Sequence, residues 1–375
     1  MKIPFNKPFT SGKEIDYIRD VIASGRISSN GVYTKKCQAW LETKLGCCRS
    51  ILTHSCTGAL EMAALLLDIQ PGDEVIVPSF TYVSTVNSFV LRGARPVFID
   101  IRPDTLNMDE TQLERLITPR TKAIVPVHYA GVGCEMDRIM RIAQNQQISV
   151  IEDNAHGLLG KYKGRYLGTF GCLAAKSFHG TKNFTCGEGG ALVVNDPQYV
   201  ERAEISCEKG TDRNRFFKGQ VDRYTWVDVG SSFLPSDILA AFLYAQLQDS
   251  KRIQGLRKRI WEYYAEHLRE WAPEHGTRLP FIPDHCEHPY HLFYLVMPSL
   301  EKRDRLIGHL RENNIHSVFH YQPLHLSRMG KKFGGKEGSL PVTEHVSDRL
   351  LRLPFFNDLS RGDQEQVITA IKSFT

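Results

Sequence analysis

Short apolar runs alternate with helical patterns through the first two hundred residues of this chain, and that alternation restricts its fold more than any other feature. The runs are Glu74–Phe80, Pro96–Ile101, Lys122–His128, Ser149–Asp153, Leu173–Phe178 and Ala191–Val194, with helical patterns such as Ala59–Leu67 and Glu135–Gln147 between them. Strands that alternate with helices predict a mostly parallel sheet covered by helices on both faces, an α/β architecture. Helical patterns at Gln198–Cys207 and Ser236–Gln248 then flank a polar loop dotted with aromatics, Lys209 to Gly230. Next, Ile253, Leu256, Ile260, Tyr264 and Leu268 recur at helical spacing, so Lys251–Leu268 reads as a long amphipathic connecting helix. Its cations Arg252, Arg257, Lys258 and Arg259 are expected on the solvated face. From about residue 275 the pattern becomes α+β, with strands at His291–Val296 and Ser317–Tyr321 and helices at Asp304–Asn313 and Asp363–Ser373. A chain of 375 residues is long enough for two domains. The expected limits are 1–250 for the larger and 251–375 for the smaller.

Two strand ends carry the chemistry. The run that ends at Phe178 delivers Ser177 and then Lys182 to a loop containing Gly187, Gly189 and Gly190. A lysine placed where a strand stops is ordinarily a solvated charge. Glycines that let backbone and ligand approach closely, with a hydroxyl five residues earlier, make this one a candidate amine nucleophile. The run Ser149–Ile151 ends in Glu152, Asp153 and Asn154, and parallel α/β sheets place ligand groups at such carboxyl ends. A strand-end lysine paired with a strand-end carboxylate is what pyridoxal 5'-phosphate requires: an amine for its aldehyde and a carboxylate to keep its ring nitrogen protonated.

A third signal is Leu52-Thr53-His54-Ser55-Cys56-Thr57-Gly58, which runs straight into a helical pattern. The unpaired N–H groups of a helix N-terminus suit a phosphate, while Ser55 or Thr57 can equally cap the helix; the two roles are compatible.

Composition narrows the partners. A net charge of +5 with no isolated basic block weighs against nucleic acid. Nine cysteines with no C-x-x-C pair predict free thiols in a reducing cytoplasm and no metal site. No apolar run reaches the ~18 residues of a membrane span.

Ser177-Phe178-x-x-x-Lys182 followed by Gly187-Glu188-Gly189-Gly190, with Glu152-Asp153-x-Ala155-His156 upstream, resembles the DegT/DnrJ/EryC1/StrS family of sugar aminotransferases. The similarity extends from Ile3-Pro4-Phe5 to Leu353-Pro354-Phe355. It implies the aspartate aminotransferase-like type I fold and a homodimer with its sites at the interface. It also implies that Lys182 and Asp153 are catalytic, that Cys56, Thr57 and Ser177 cradle the cofactor phosphate, that Tyr82 stacks on its ring, and that His156 bonds near its ring oxygen. Ser29, His320, Tyr321 and His325 fall in segments that the resemblance places near substrate. In many members an Asn and a basic residue reach the neighbouring subunit's phosphate; here those positions hold Ser232 and Leu234, which leaves Ser232 as the candidate.

Glu61–Val75, Tyr224-Thr225-Trp226 and Gly230-Ser231-Ser232 are most similar to the members that make TDP-4-amino-4,6-dideoxygalactose for enterobacterial common antigen. The implied reaction moves the amine of L-glutamate to C4 of TDP-4-keto-6-deoxy-D-glucose. A UDP-4-keto or TDP-3-keto sugar is the alternative acceptor, since Cys186-Gly187-Glu188 and His156 also resemble the UDP-4-keto-arabinose enzymes. A dehydratase offshoot with histidine in place of the lysine is disfavoured by Lys182, and a cofactor-binding regulator without turnover is the reading from another class.

Overall fold

The computed structural model describes residues 2–374, so the outermost residue of each expected domain lies outside the described residues. Its centre is a seven-stranded sheet of β1 (Arg49–Thr53), β2 (Glu74–Pro78), β3 (Arg95–Ile99), β4 (Thr121–Ile124), β5 (Ser149–Asp153), β6 (Leu173–Ser177) and β7 (Gly190–Val194). The strand order is β1-β7-β6-β5-β4-β2-β3. Neighbours from β6 through β3 run parallel, whereas β7 is antiparallel to both β6 and β1. All six expected strands are present. The seventh, β1, was not anticipated: five residues ending at Thr53 are too short to show a period of their own, and the helix that follows dominates the local pattern.

Both faces of the sheet are buried, as the unbroken apolar runs require. Along β6 the side chains alternate: Leu173 and Ala175 pack with Ala59, Met62 and Ala63 of one helix, Cys56–Leu66, whereas Ala174 packs with Leu41 and Leu243 from helices on the opposite face. Those opposite-face helices are Val32–Leu45 and Asp237–Gln248, the latter capped by Ser236, whose hydroxyl accepts from the Leu239 N–H. Glu14–Ala23 lies beside them.

The long helix spans Ser250–Leu268 and buries Ile253, Ile260, Tyr264 and Leu268. One expectation fails here. Arg257 is not on the solvated face but is 3% exposed, donating to the carbonyls of Tyr290 (2.9 Å) and His291 and to Asn357 Oδ1 (2.9 Å). Burial depresses its pKa to about 9.

Past this helix, β8 (Tyr294–Val296), β9 (Val318–Phe319) and β10 (Leu350–Arg352) form an antiparallel sheet with β10 central. It packs with Leu300–Glu312 and Arg361–Lys372 around Phe293, Leu295, Leu306, Leu351 and Val367. The loop 209–230 contains a short helix, Arg213–Phe217.

Candidate active site

β6 and β7 form a hairpin, and the loop joining them carries Lys182. The ladder continues past the strands: Phe178 N–H donates to Gly189 O (2.8 Å), Cys186 N–H to Phe178 O (3.0 Å) and Gly180 N–H to Gly187 O (2.8 Å). Gly187 sits at φ +83°, a conformation a side chain would strain. The residue after the lysine anchors the loop: Asn183 donates to Pro289 O (2.6 Å), and its Oδ1 accepts from His291 Nδ1 (2.8 Å). Lys182 is thereby fixed between the two sheets.

The lysine lines a cavity of about 910 Å³. From the seven-stranded sheet come Asp153, His156, Ser177 and Lys182, with Cys56, Thr57 and Tyr82 beside them; from the smaller sheet and its loops come His291, His320, Tyr321 and Arg352. Burial holds the Lys182 amine down to about 8, against the opposing pull of the Asp153 carboxylate.

Asp153 closes β5 and is 5% exposed. Its Oδ2 accepts from Thr85 Oγ1 (2.7 Å) and its Oδ1 from the Ala155 N–H (3.1 Å). Because Thr85 spends its proton on the carboxylate, Thr81 Oγ1, 2.8 Å away, must donate to Thr85.

At the start of the helix Cys56–Leu66, Ser55 is extended and its hydroxyl accepts from Gly58 N–H (3.0 Å), so Ser55 is the cap. Thr57 instead shares a 2.7 Å bond with Ser84 Oγ. The Cys56 and Thr57 amides precede the first intrahelical bond, from Ala59 N–H to Ser55 O. Burial pushes the Cys56 thiol well above its ordinary range and keeps it protonated.

His156 is 8% exposed and stacks on His291, with ring centres 4.3 Å apart and 27° between planes. Burial, helped by the Lys182 and Arg352 charges, drives its pKa well below the usual value, so the ring is neutral. Its Nδ1 is buried and has no hydrogen-bond partner among the described residues. His320 is likewise held neutral by burial, and its Nδ1 bonds the Tyr129 hydroxyl at 3.0 Å.

Three sequence candidates lie elsewhere. His325 is 1% exposed with both ring nitrogens engaged, Nδ1 to Ser79 Oγ (2.7 Å) and Nε2 to Glu344 Oε1 (3.0 Å), and it does not line this cavity. Its bonds tie the loop after β9 to Ser79 at the end of β2 and to Glu344. Ser29 lines a different cavity of about 1470 Å³, together with Lys209, Arg213 and Asp237. Ser232 is exposed, bridges Glu208 and is not part of the Lys182 cavity. Tyr82 lines the cavity but is 62% exposed.

Sequence reasoning missed Thr85, His291 and Arg352. Only Arg352 left a local trace, as the polar residue in the otherwise apolar Leu350-Leu351-Arg352-Leu353.

The sequence profile of the DegT/DnrJ/EryC1/StrS aminotransferase family matches residues 9–372. The chain is 34% identical to an uncharacterized protein of Methanocaldococcus jannaschii, over 99% of this chain and 97% of that protein. It is 33% identical to the spore coat polysaccharide biosynthesis protein SpsC of Bacillus subtilis, over 99% and 96%. Among solved structures, a putative sugar aminotransferase of Streptococcus pneumoniae, Spr1654, superposes with a TM-score of 0.93 at 28% identity, covering 100% of this chain and 98% of that one. That protein is also solved with pyridoxal phosphate and with pyridoxamine phosphate.

Proposed function

The chain belongs to the DegT/DnrJ/EryC1/StrS aminotransferase family, as a type I pyridoxal-phosphate-dependent sugar aminotransferase, and from that premise we propose its substrates and the roles of its residues. It transfers the amine of L-glutamate to C4 of TDP-4-keto-6-deoxy-D-glucose, giving TDP-4-amino-4,6-dideoxy-D-galactose and 2-oxoglutarate. It acts as a cytoplasmic homodimer.

The observation that carries this reading is the half-buried Lys182, its amine depressed to about 8, in one cavity with the buried carboxylate of Asp153. The cavity fits the cofactor. It has an unpartnered ring nitrogen on His156, a pair of helix-start amides at Cys56 and Thr57, and a hydroxyl on Ser177. Pyridoxal phosphate supplies an aldehyde that exchanges amines and a protonated ring that draws electron density from the carbon losing its proton.

Lys182 would hold the cofactor, and its amine, when free and neutral, would move the proton from the donor carbon. Asp153 would keep the ring nitrogen protonated, and Thr85 and the Ala155 amide hold that carboxylate in place. The Cys56 and Thr57 amides and Ser177 would take the phosphate, Tyr82 would cover the ring, and His156 would bond beside it. His320 and Tyr321 face the sugar. Ser232 serves the cavity of the neighbouring subunit.

The test is addition of TDP-4-keto-6-deoxy-D-glucose to protein charged with pyridoxamine phosphate. The expected result is return of the yellow cofactor absorbance together with an aminated sugar nucleotide, whose C4 configuration NMR then assigns. No change with this sugar, in protein that responds to glutamate and to a UDP-4-keto sugar, would overturn the acceptor and leave the transaminase reading intact.

A further inference from the structure

Asn183, the residue after Lys182, sets the proton of a histidine that the proposed chemistry leaves unused. Its side-chain amide is held one way round: Nδ2 donates to Pro289 O (2.6 Å) and to Gln254 Oε1 (3.4 Å), which turns Oδ1 toward His291 Nδ1 at 2.8 Å. An amide oxygen only accepts, so the proton between them sits on Nδ1. His291 is buried, and burial, joined by His156 and by the charges of Lys182, Arg257 and Arg352, pushes its pKa well below the usual value. The ring is therefore neutral, and Nε2 carries only a lone pair. That nitrogen has no hydrogen-bond partner among the described residues and is not sealed off, so in a ring that lines the Lys182 cavity it opens on the cavity. Stacking on His156 at 4.3 Å, with Arg257 holding the carbonyls of Tyr290 and His291, keeps the ring from turning away.

A fixed, uncharged acceptor selects a ligand with a hydrogen to give. The amino acid brings carboxylates, which a lone pair repels, and an amine that is committed to the cofactor. The keto sugar brings a hydroxyl on C3, the carbon next to C4. A carboxylate in the place of His291 would also accept from that hydroxyl, but its charge would pull the Lys182 pKa back up. A neutral imidazole reads the hydroxyl and leaves the lysine as burial has set it. We infer that His291 is a specificity-determining residue: its Nε2 accepts from the hydroxyl next to the keto carbon of the nucleotide sugar, and Asn183 positions it by holding its tautomer.

This inference rests on the keto-sugar acceptor proposed for the same cavity. The experiment uses the cofactor-loaded enzyme with L-glutamate and compares kcat/KM for TDP-4-keto-6-deoxy-D-glucose and its 3-deoxy analogue, in wild type, His291→Phe and Asn183→Ala. Wild type should prefer the hydroxylated sugar by about 10-fold or more, the loss expected when a buried acceptor is left unpaired. In H291F the two sugars should be used within ~3-fold of each other, while the glutamate half-reaction, read by cofactor absorbance, keeps its rate within ~3-fold. N183A frees the tautomer and should shrink the preference by about 3-fold or more. Because the readout is a ratio of two sugars on one protein, general damage to the Lys182 loop cancels. Equal use of the two sugars by wild type, or a preference that survives in H291F, overturns the assignment of His291; an unchanged preference in N183A overturns the positioning role of Asn183. Should H291F fail to fold, wild type decides: the 3-fluoro analogue, which cannot donate, should bind no better than the 3-deoxy sugar, and binding equal to the parent's overturns the proposal. If wild type ignores this sugar but aminates another nucleotide keto sugar, the acceptor reading falls, and the same comparison on that sugar and its analogue without the neighbouring hydroxyl decides His291 separately. A wild type inert to every keto sugar overturns both.

Discussion

A lysine that must act as a neutral base near pH 7 needs its charge made costly, and burial does this to Lys182. The direction of the shift fixes a pH dependence: the neutral fraction grows as pH rises through about 8. Cofactor attachment to the apoprotein should therefore accelerate between pH 7 and pH 9 and level off above, as read by absorbance. Lys182→Ala should abolish amino transfer, a loss of ~10³-fold or more where base and attachment point vanish together. Asp153→Asn keeps shape but not charge, and kcat should fall by roughly 100-fold or more, with the Ala155 N–H still able to donate to the amide oxygen while Thr85 loses its acceptor. His325→Ala belongs to a different class. It strips partners from Ser79 and Glu344, so stability should drop by about 1–3 kcal/mol in urea unfolding while the KM for the sugar stays unchanged. Lys182 and Asp153 were legible because chemistry-bearing residue types stood at the ends of apolar runs. Thr85 and His291 were not, since a threonine in a helix and a histidine before a strand look the same whether they face solvent, core or cofactor.

Elements were legible in proportion to their periodicity. The long helix Ser250–Leu268 was readable almost to the residue, yet the same pattern held an unused clue. Arg257 stands four residues after Ile253 and three before Ile260, squarely in the apolar stripe; reading it by charge rather than by position put it on the wrong face. The helix Val32–Leu45 escaped notice because its buried positions include Thr34, Cys37 and Gln38, polar groups that blur the stripe. Helix ends can be tested directly. Ser55 is the only side chain capping the helix whose first amides face the cavity, so Ser55→Ala should cost about 1 kcal/mol in thermal or urea unfolding and should weaken retention of the cofactor phosphate.

At the scale of the molecule, the sheet encloses a second lysine that the proposed chemistry does not use. Lys176 is fully buried, donates to Leu167 O at 2.7 Å, and has its pKa lowered to about 8, mainly by burial. In the unfolded chain this amine stays protonated to about 10.5, so between about 8 and 10.5 folding releases its proton and stability gains with rising pH. Lys176→Met should remove that component from the stability profile of the apoprotein measured by urea titration at several pH values. The architecture itself was legible from the alternation of runs and helices. The meeting of the two sheets around one cavity was not, because contacts between residues nearly two hundred positions apart, such as Tyr129 with His320, leave no local pattern.

That meeting divides inheritance as well as space. Within one chain's cavity, the groups assigned to the cofactor descend from the first two hundred residues, whereas His320, Tyr321 and Arg352 belong to the last sixty. Substitutions at His320 and Tyr321 leave Lys182 and Asp153 themselves in place, so one reaction can be handed from sugar to sugar over evolutionary time while its chemical engine is kept.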